Sequence, residues 1–88
     1  MLVATIESQL VEFLRGATGQ VALNADTELL DTGIADSLTI MDLIVYVETE
    51  LKVRLEAGDL TAETFRTPAA LAALVAARLG LARQVDAA

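Results

Sequence analysis

The strongest constraint on the fold is an apolar stripe in the middle of the chain. Its members recur at intervals of three and four residues, the spacing that places side chains on one face of an α-helix. The stripe consists of Ile40, Leu43, Ile44, Val47 and Leu51. We predict a helix over residues 37–53, with Asp36 as the N-cap and Ser37 in the first helical position.

Two further segments have helical periodicity. The first covers residues 2–17 and is predicted to stop at Gly19, since glycine readily takes the left-handed conformation that ends helices. The last starts at Thr67, a good cap residue that is followed by Pro68, and ends at Gly80. The predicted inner face of this last helix consists of Leu71, Leu74, Val75 and Leu79.

The connections between these helices differ in length. Residues 20–35 form a long first loop rich in turn residues, within which a short helical turn is predicted at residues 27–30. Thr61 is predicted to cap a short helix over residues 62–65, whose Phe65 fills the core. The sum is an all-α, four-helix fold with three main helices and one short helix. Residues 1–80 are expected to form one domain and residues 81–88 a flexible tail.

The charge of the chain argues against several classes of partner. Thirteen acidic and six basic side chains give a formal net charge of −7. Nucleic acid and anionic membrane surfaces are therefore not expected partners, whereas basic proteins are. The first residues lack the basic start of a signal peptide, and the longest alanine- and leucine-rich run, residues 69–77, is too short to span a bilayer. We expect a monomeric, cytoplasmic protein.

The absence of histidine and cysteine removes the commonest general base, metal ligand and thiol nucleophile. The acidic segment that begins at Asp26 also fails the calcium-loop pattern. Its positions 5, 6 and 12 hold Leu30, Asp31 and Ser37 instead of an acid or amide, a glycine and a glutamate. Ser37 lacks the flanking glycines of a nucleophile elbow, and Lys52 lies about 22 Å farther along the helix axis. An autonomous enzyme and a metal site are therefore not expected.

Ser37 then has two interpretations. It is an ordinary residue of a helix start, or it is a hydroxyl on which another protein acts. The free N–H groups and the dipole of a helix N-terminus favour a phosphate ester at this position. The adjacent Asp36 carboxylate opposes one, although that repulsion is screened at an exposed site. The residues alone leave both interpretations open.

A second apolar stripe on the same helix raises a similar choice. Leu38, Met41 and Val45 lie on a different face from the first stripe, and one small core cannot easily bury both. Either neighbouring elements crowd the helix from two sides, or the second stripe is exposed for a partner protein.

The order of these features resembles the acyl carrier protein superfamily, over residues 2–79. The motifs that carry the resemblance are Gly33 followed by Asp36-Ser37-Leu38, the apolar helix after them, the acidic Glu48, and Phe65 before Thr67. The resemblance implies that a phosphopantetheinyl transferase attaches 4′-phosphopantetheine from coenzyme A to Ser37, with Asp36 supporting the loading step. It also implies that the thiol of this arm carries an acyl or aminoacyl group as a thioester.

The resemblance further implies which residues meet partner proteins. The residues so assigned are Leu38, Met41, Asp42, Val45 and Glu48. The implied partners are the transferase, a ligase or adenylation enzyme that activates the acyl or aminoacyl group, and downstream condensing or tailoring enzymes.

The motif departs from the commonest fatty-acid pattern, because two residues, Ile34 and Ala35, separate Gly33 from Asp36 instead of one. This spacing and the segment TAETFRT look more like D-alanyl-type carriers and free-standing carriers of specialised metabolism. We therefore expect a non-catalytic carrier of an aminoacyl or short acyl group for polyketide or nonribosomal peptide type biosynthesis. A D-alanyl carrier for teichoic acid modification is the first alternative, and an unmodified helical adaptor that binds a basic partner is the alternative of another class.

Overall fold

The computed structural model of the chain describes residues 3–80 and contains three α-helices. Helix α1 covers Val3–Thr18, α2 covers Ser37–Glu50 and α3 covers Pro68–Leu79, with a short 3-10 helix at Ala57–Asp59. No strand occurs among residues 3–80. The predicted all-α architecture of three main helices and one short helix is confirmed. The predicted flexible tail, residues 81–88, lies outside the described residues.

The ends of α1 and α3 follow the local signals in the sequence. Gly19 has a left-handed φ of 75°, and its N–H donates to the Arg15 carbonyl at 2.9 Å, which closes α1. At the start of α3, the Thr67 hydroxyl accepts the N–H of Ala70 at 3.1 Å. Gly80 ends α3 with a φ of 79°. These ends were predictable because each depends only on residues within one turn of it.

Helix α2 ends at Glu50, earlier than the predicted end at residue 53. Leu51 is its C-cap, and Lys52 adopts a left-handed φ of 59°. The N–H of Val53 then turns back and donates to the Val47 carbonyl at 3.3 Å. Leu51 and Val53 are both buried, so apolar residues continue after the helix while the backbone has already left it.

The predicted helical turn at residues 27–30 is wrong. The Thr27 hydroxyl accepts the Asn24 N–H at 2.8 Å, which closes a non-helical turn. The Leu29 N–H donates to the Arg66 carbonyl at 2.8 Å. Because this bond joins two distant segments, the Leu29 N–H is not available for a helical bond within the loop.

The short helix lies at Ala57–Asp59 and not at residues 62–65, where it was predicted. Residues 62–65 form a turn in which the Phe65 N–H donates to the Thr61 carbonyl at 3.3 Å, and the turn is not continued. The 3-10 helix is instead tied to α3, because Arg78 donates to the Asp59 carboxylate at 2.6 Å. Phe65 is 4% exposed and fills the core as predicted.

The core lies where α1 packs against α2 and α3. It contains apolar side chains from all three helices and both long connections, and no polar or charged side chain of residues 3–80 is buried. Leu79, predicted on the inner face of α3, is 37% exposed, because α3 extends past the last side chains that enter the core. Ala72 and Ala76 are fully buried instead. No helix in this part of the chain is long and apolar enough to cross a membrane.

The long first loop is fixed to the first turn of α3 and to the segment before it. Leu23 and Leu29 are buried. In addition to the Leu29–Arg66 bond, the Ala69 N–H donates to the Ala25 carbonyl at 2.9 Å. The chain therefore enters α2 from a loop that is held at several points.

Candidate functional site

Ser37 is the first residue of α2 and is exposed. The preceding residue, Asp36, has extended backbone angles and caps the helix. Its Oδ1 accepts two hydrogen bonds from one residue, the Thr39 N–H at 2.9 Å and the Thr39 hydroxyl at 3.0 Å. The prediction of Asp36 as N-cap and Ser37 as first helical residue is confirmed. The serine hydroxyl is thus presented to solvent at a capped helix start.

The hydrogen bonds from Thr39 also set the charge beside the serine. The pKa of Asp36 is lowered from 3.8, first by the backbone N–H of Thr39 and second by its hydroxyl. Both donors stabilise the carboxylate over the carboxylic acid. Asp36 is therefore ionised at neutral pH, so a full negative charge lies next to Ser37.

Gly33 and Ala35 fix the backbone of the segment before Asp36. Gly33 takes a left-handed φ of 74° as its N–H donates to the Leu30 carbonyl at 3.1 Å. Ala35 is 5% exposed, and its N–H donates to the Leu29 carbonyl at 3.0 Å. In this motif, therefore, a buried and hydrogen-bonded residue, Ala35, immediately precedes the N-cap.

The second apolar stripe of α2 is exposed. Leu38, Met41 and Val45 are 67%, 65% and 58% exposed, so the described part of the chain does not bury them. We call these three residues the exposed strip. Of the two explanations that the sequence left open, crowding by neighbouring elements does not hold within residues 3–80. Contact with a partner protein remains a prediction.

The two acidic residues assigned to partners have different surroundings. Asp42 is exposed on α2 near Val45 and makes no side-chain hydrogen bond within the described part of the chain. Glu48 is also exposed, but its carboxylate accepts the Leu55 N–H at 3.2 Å. Glu48 therefore holds the turn after α2, a role that no local pattern in the sequence indicated.

Negative charge is concentrated around this helix. Between residues 16 and 51 the chain has seven acidic side chains and no basic one. The acidic residues are Asp26, Glu28, Asp31, Asp36, Asp42, Glu48 and Glu50. The whole loop and helix that present Ser37 thus form an acidic surface, which attracts basic proteins over several ångströms.

A small apolar recess opens beside α2. Its volume is about 310 Å³, and it is lined by side chains of α2, the first loop and the turn before α3, among them Leu30, Ile40, Ile44 and Phe65. Ile40 lies about one helical turn after Ser37. Sequence analysis did not identify this recess, because it requires residues from three separate segments.

The residues present fit a phosphate ester at Ser37. The hydroxyl is exposed at the N-terminus of a helix of 14 residues, where the dipole favours added negative charge. Asp36 opposes that charge, but the site is open to solvent and the repulsion is screened. Across residues 3–80, no three His, Cys, Asp or Glu side chains are grouped so that they could hold a metal ion.

Comparison with known proteins gives concordant matches. A family model described as "Phosphopantetheine attachment site" matches residues 8–75. The chain is 27% identical over 77 residues to D-alanyl carrier protein 2 of Lactiplantibacillus plantarum, covering 86% of this chain and 96% of that protein. It is 31% identical over 65 residues to the D-alanyl carrier protein of Enterococcus faecalis, covering 72% of this chain and 83% of that protein.

Proposed function

Because the chain belongs to the phosphopantetheine-attachment family of carrier proteins, we propose that Ser37 is the residue to which the phosphopantetheine arm is attached. The observation that carries this proposal is the scarcity of serine. The chain has two serines, Ser8 and Ser37. Both are exposed, but Ser8 lies inside α1, whereas Ser37 is the first residue of α2, where the backbone N–H groups of the helix start are free.

Carrier proteins of this family are not catalysts. In the proposed reaction this chain supplies the acceptor hydroxyl of Ser37 and holds it in place. Ser37 Oγ forms a bond to the phosphorus next to the pantetheine of coenzyme A, the pyrophosphate bond breaks, and adenosine 3′,5′-bisphosphate leaves. The base that removes the hydroxyl proton of the serine belongs to the transferase, since this chain has no histidine. Asp36 supports the step by holding Ser37 at the first helical position through the bonds to Thr39. When bound, the arm supplies the thiol that the chain lacks and on which cargo is carried as a thioester.

For the cargo, we propose D-alanine or a closely similar small amino acid. Support comes from the two D-alanyl carrier proteins to which the chain is similar and from the spacing between Gly33 and Asp36. These similarities favour the D-alanyl alternative, with teichoic acid as its acceptor, over the natural-product cargo expected from the sequence. The partners proposed are a phosphopantetheinyl transferase, a ligase that activates the amino acid, and a downstream acceptor enzyme, all reached in the cytoplasm.

A short acyl cargo is the second candidate, and the apolar recess favours it. Its volume of about 310 Å³ is at the lower end for ligand pockets, and Phe65, Ile40 and Ile44 offer it carbon surface. Such a cargo belongs to polyketide or nonribosomal peptide type pathways with condensing or tailoring enzymes.

Attachment is tested by incubating the protein with coenzyme A and a broad-specificity phosphopantetheinyl transferase and measuring its intact mass. We expect a gain of one phosphopantetheinyl group in the wild type and in Ser8→Ala, and none in Ser37→Ala. The Ser8→Ala variant is the matched control, because it removes the other serine. Absence of a gain in the wild type, or an equal gain in Ser37→Ala, contradicts the proposal.

The cargo is tested on the modified protein with ATP, a D-alanine-activating ligase and each amino acid in turn. The proposal requires a D-alanyl adduct that hydroxylamine removes, since a thioester is cleaved by this reagent. A second reaction offers short acyl-coenzyme A and an acyltransferase. Loading in the second reaction alone replaces the D-alanyl proposal with the short acyl candidate.

A further inference from the structure

A groove between α1 and α2 is distinct from the serine and from the apolar recess. Its volume is about 750 Å³. Phe13 of α1 and Tyr46 of α2 stack in one wall, with ring centroids 4.6 Å apart and an angle of 30° between the rings. Val45 of α2 also lines the groove, and the small residues Gly16 and Ala17 continue the α1 side one turn after Phe13. We call this feature the α1–α2 groove.

Two properties show that the groove is open and apolar. A Cβ atom placed on Gly16 meets no heavy atom within 4 Å, so nothing in the described chain covers this position. Phe13 and Tyr46 are only half-buried, and Val45 is 58% exposed. Large aromatic side chains that remain accessible beside a cleft are typical of protein contact sites.

The rim of the groove is acidic. Glu12, Asp42 and Glu50 line it, and no basic side chain does. Glu12 is paired with Arg15 at 3.5 Å, but both side chains are largely exposed, and such pairs are weak. Glu50 lies one helical turn after Tyr46 in α2, and the Tyr46 pKa is raised, first because of burial and second because of the charge of Glu50.

We propose that the α1–α2 groove docks a basic amphipathic helix of a partner protein. The apolar face of that helix packs on Phe13, Val45 and Tyr46, and its lysine or arginine side chains pair with the acidic rim. A second copy of this acidic chain is disfavoured by charge, as is an anionic lipid surface. The inference goes beyond the attachment of an arm to Ser37 and does not depend on it.

The protein contains its own probe for this test, because Tyr46 is its single tyrosine and it has no tryptophan. Unmodified protein is titrated with a peptide of leucine and lysine, arranged amphipathically over roughly five helical turns and free of aromatic residues. We expect a saturable change in Tyr46 fluorescence that weakens as salt is added. Length-matched leucine–glutamate and serine–lysine peptides, which lack one of the two required features, are expected to produce no such change.

The variant Gly16→Leu adds a side chain on the α1 side of the groove, where a Cβ atom meets no heavy atom within 4 Å, and places a better helix former in α1. We expect it to weaken binding of the leucine–lysine peptide at least tenfold. The matched control is Ala73→Leu, which adds the same side chain at an exposed position of α3 and is expected to bind as the wild type does. The double variant Asp42→Asn/Glu50→Gln is expected to bind more weakly and with less dependence on salt.

Amide chemical shifts locate the peptide on the protein. The proposal requires the largest changes at Gly16, Ala17 and Tyr46. It is overturned by absence of binding, by equal binding to the Gly16→Leu and wild-type proteins, or by changes confined to Leu38 and Met41, the two residues of the exposed strip that do not line the groove. A change in fluorescence that coincides with dimerisation in sedimentation also overturns it, since a second copy then occupies the groove. None of these outcomes bears on the mass gain at Ser37, so the two proposals fail independently.

Discussion

Asp36 and Thr39 together determine where the Ser37 hydroxyl lies. Thr39 donates both its N–H and its hydroxyl to one carboxylate oxygen, and this pair fixes the backbone on each side of the serine. Sequence analysis identified Asp36 as a cap, because aspartate followed by an apolar helical stripe is a familiar start signal. It did not identify Thr39, although a hydrogen-bonding residue three positions after a cap is a signal that could have found it.

The first prediction concerns the acid dependence of this cap. The folded-state pKa of Asp36 lies below 3.8, so its contribution to stability is present above the unfolded value and is lost as pH falls through the folded value. Thr39→Val removes the hydroxyl donor and keeps the N–H donor. We expect the Asp36 pKa to rise toward 3.8 in this variant, measured by carboxyl-carbon NMR during a pH titration.

Thr49→Val is the matched control for the first prediction. The Thr49 hydroxyl donates to the Val45 carbonyl at 2.7 Å and not to Asp36, so its removal is expected to leave the Asp36 titration unchanged. An unaltered titration in Thr39→Val, or the same shift in both variants, contradicts the assigned cause.

At the level of elements, α2 uses different faces for different purposes. Leu43 and Val47 enter the core, the exposed strip faces solvent, and Tyr46 forms part of the α1–α2 groove. The helix can serve all three because it is apolar on more than one side and ends in a tight turn. That turn places Lys52 in the left-handed region, at φ 59°, where a Cβ atom is unfavourable.

The second prediction tests this turn. Lys52→Gly removes the unfavourable Cβ and is expected to raise the free energy of unfolding by up to about 1 kcal/mol. The relief of left-handed strain is partly offset, because glycine has greater backbone freedom in the unfolded chain. Lys52→Ala keeps the Cβ and is expected to stay near the wild-type value. Urea denaturation measures both, and an equal stability of the two variants would show that the turn is not strained.

How far these elements could be predicted depends on the range of the contacts that fix them. Gly19, Asp36, Thr67 and Gly80 act within one turn, so the helix ends that they control were predictable. The end of α2 was not predictable, because a lysine and not a glycine takes the left-handed position at residue 52 and apolar residues continue on both sides of it. The absence of a helical turn at residues 27–30 was not predictable either, because it depends on the hydrogen bond from the Leu29 N–H to the Arg66 carbonyl, which is distant in sequence.

The same distinction applies to the sites. The second apolar stripe was recognisable from a helix with too many apolar faces for one small core, but the sequence left open whether neighbouring elements bury it. The recess and the α1–α2 groove were not predictable, since each requires side chains from segments that are distant in sequence. In particular, the contact between Phe13 and Tyr46 leaves no trace in the local pattern around either ring.

On the scale of the whole molecule, the first loop joins the parts of the bundle. It contributes Leu23 and Leu29 to the core, and it is hydrogen-bonded through Leu29 to Arg66, before α3, and through Ala25 to Ala69, in the first turn of α3. The loop therefore acts as a packed connection and not as a loose linker. Because it leads directly to Asp36, the position of the proposed attachment serine depends on the packing of the entire domain.

The third prediction tests this dependence. Leu29→Ala removes a side chain that is fully buried and is expected to lower the free energy of unfolding by about 2–5 kcal/mol, a large share of the stability of a small domain. Val21→Ala, in the same loop but 85% exposed, is expected to change it by less than about 0.5 kcal/mol. Urea denaturation of both variants makes the comparison, and similar losses in the two would contradict a packed loop.

The packing of α1 against α3 determines when the domain can fold during its synthesis. During translation Ser37 is made 42 residues before Leu79, the last residue of α3, and at about 5–20 residues per second the interval is roughly 2–8 s. The core that holds the start of α2 closes only after the last of these helices exists. Under the proposed function, a transferase that recognises the folded start of α2 finds it only on completed domains. Nascent chains and prematurely terminated products therefore do not receive the phosphopantetheine arm.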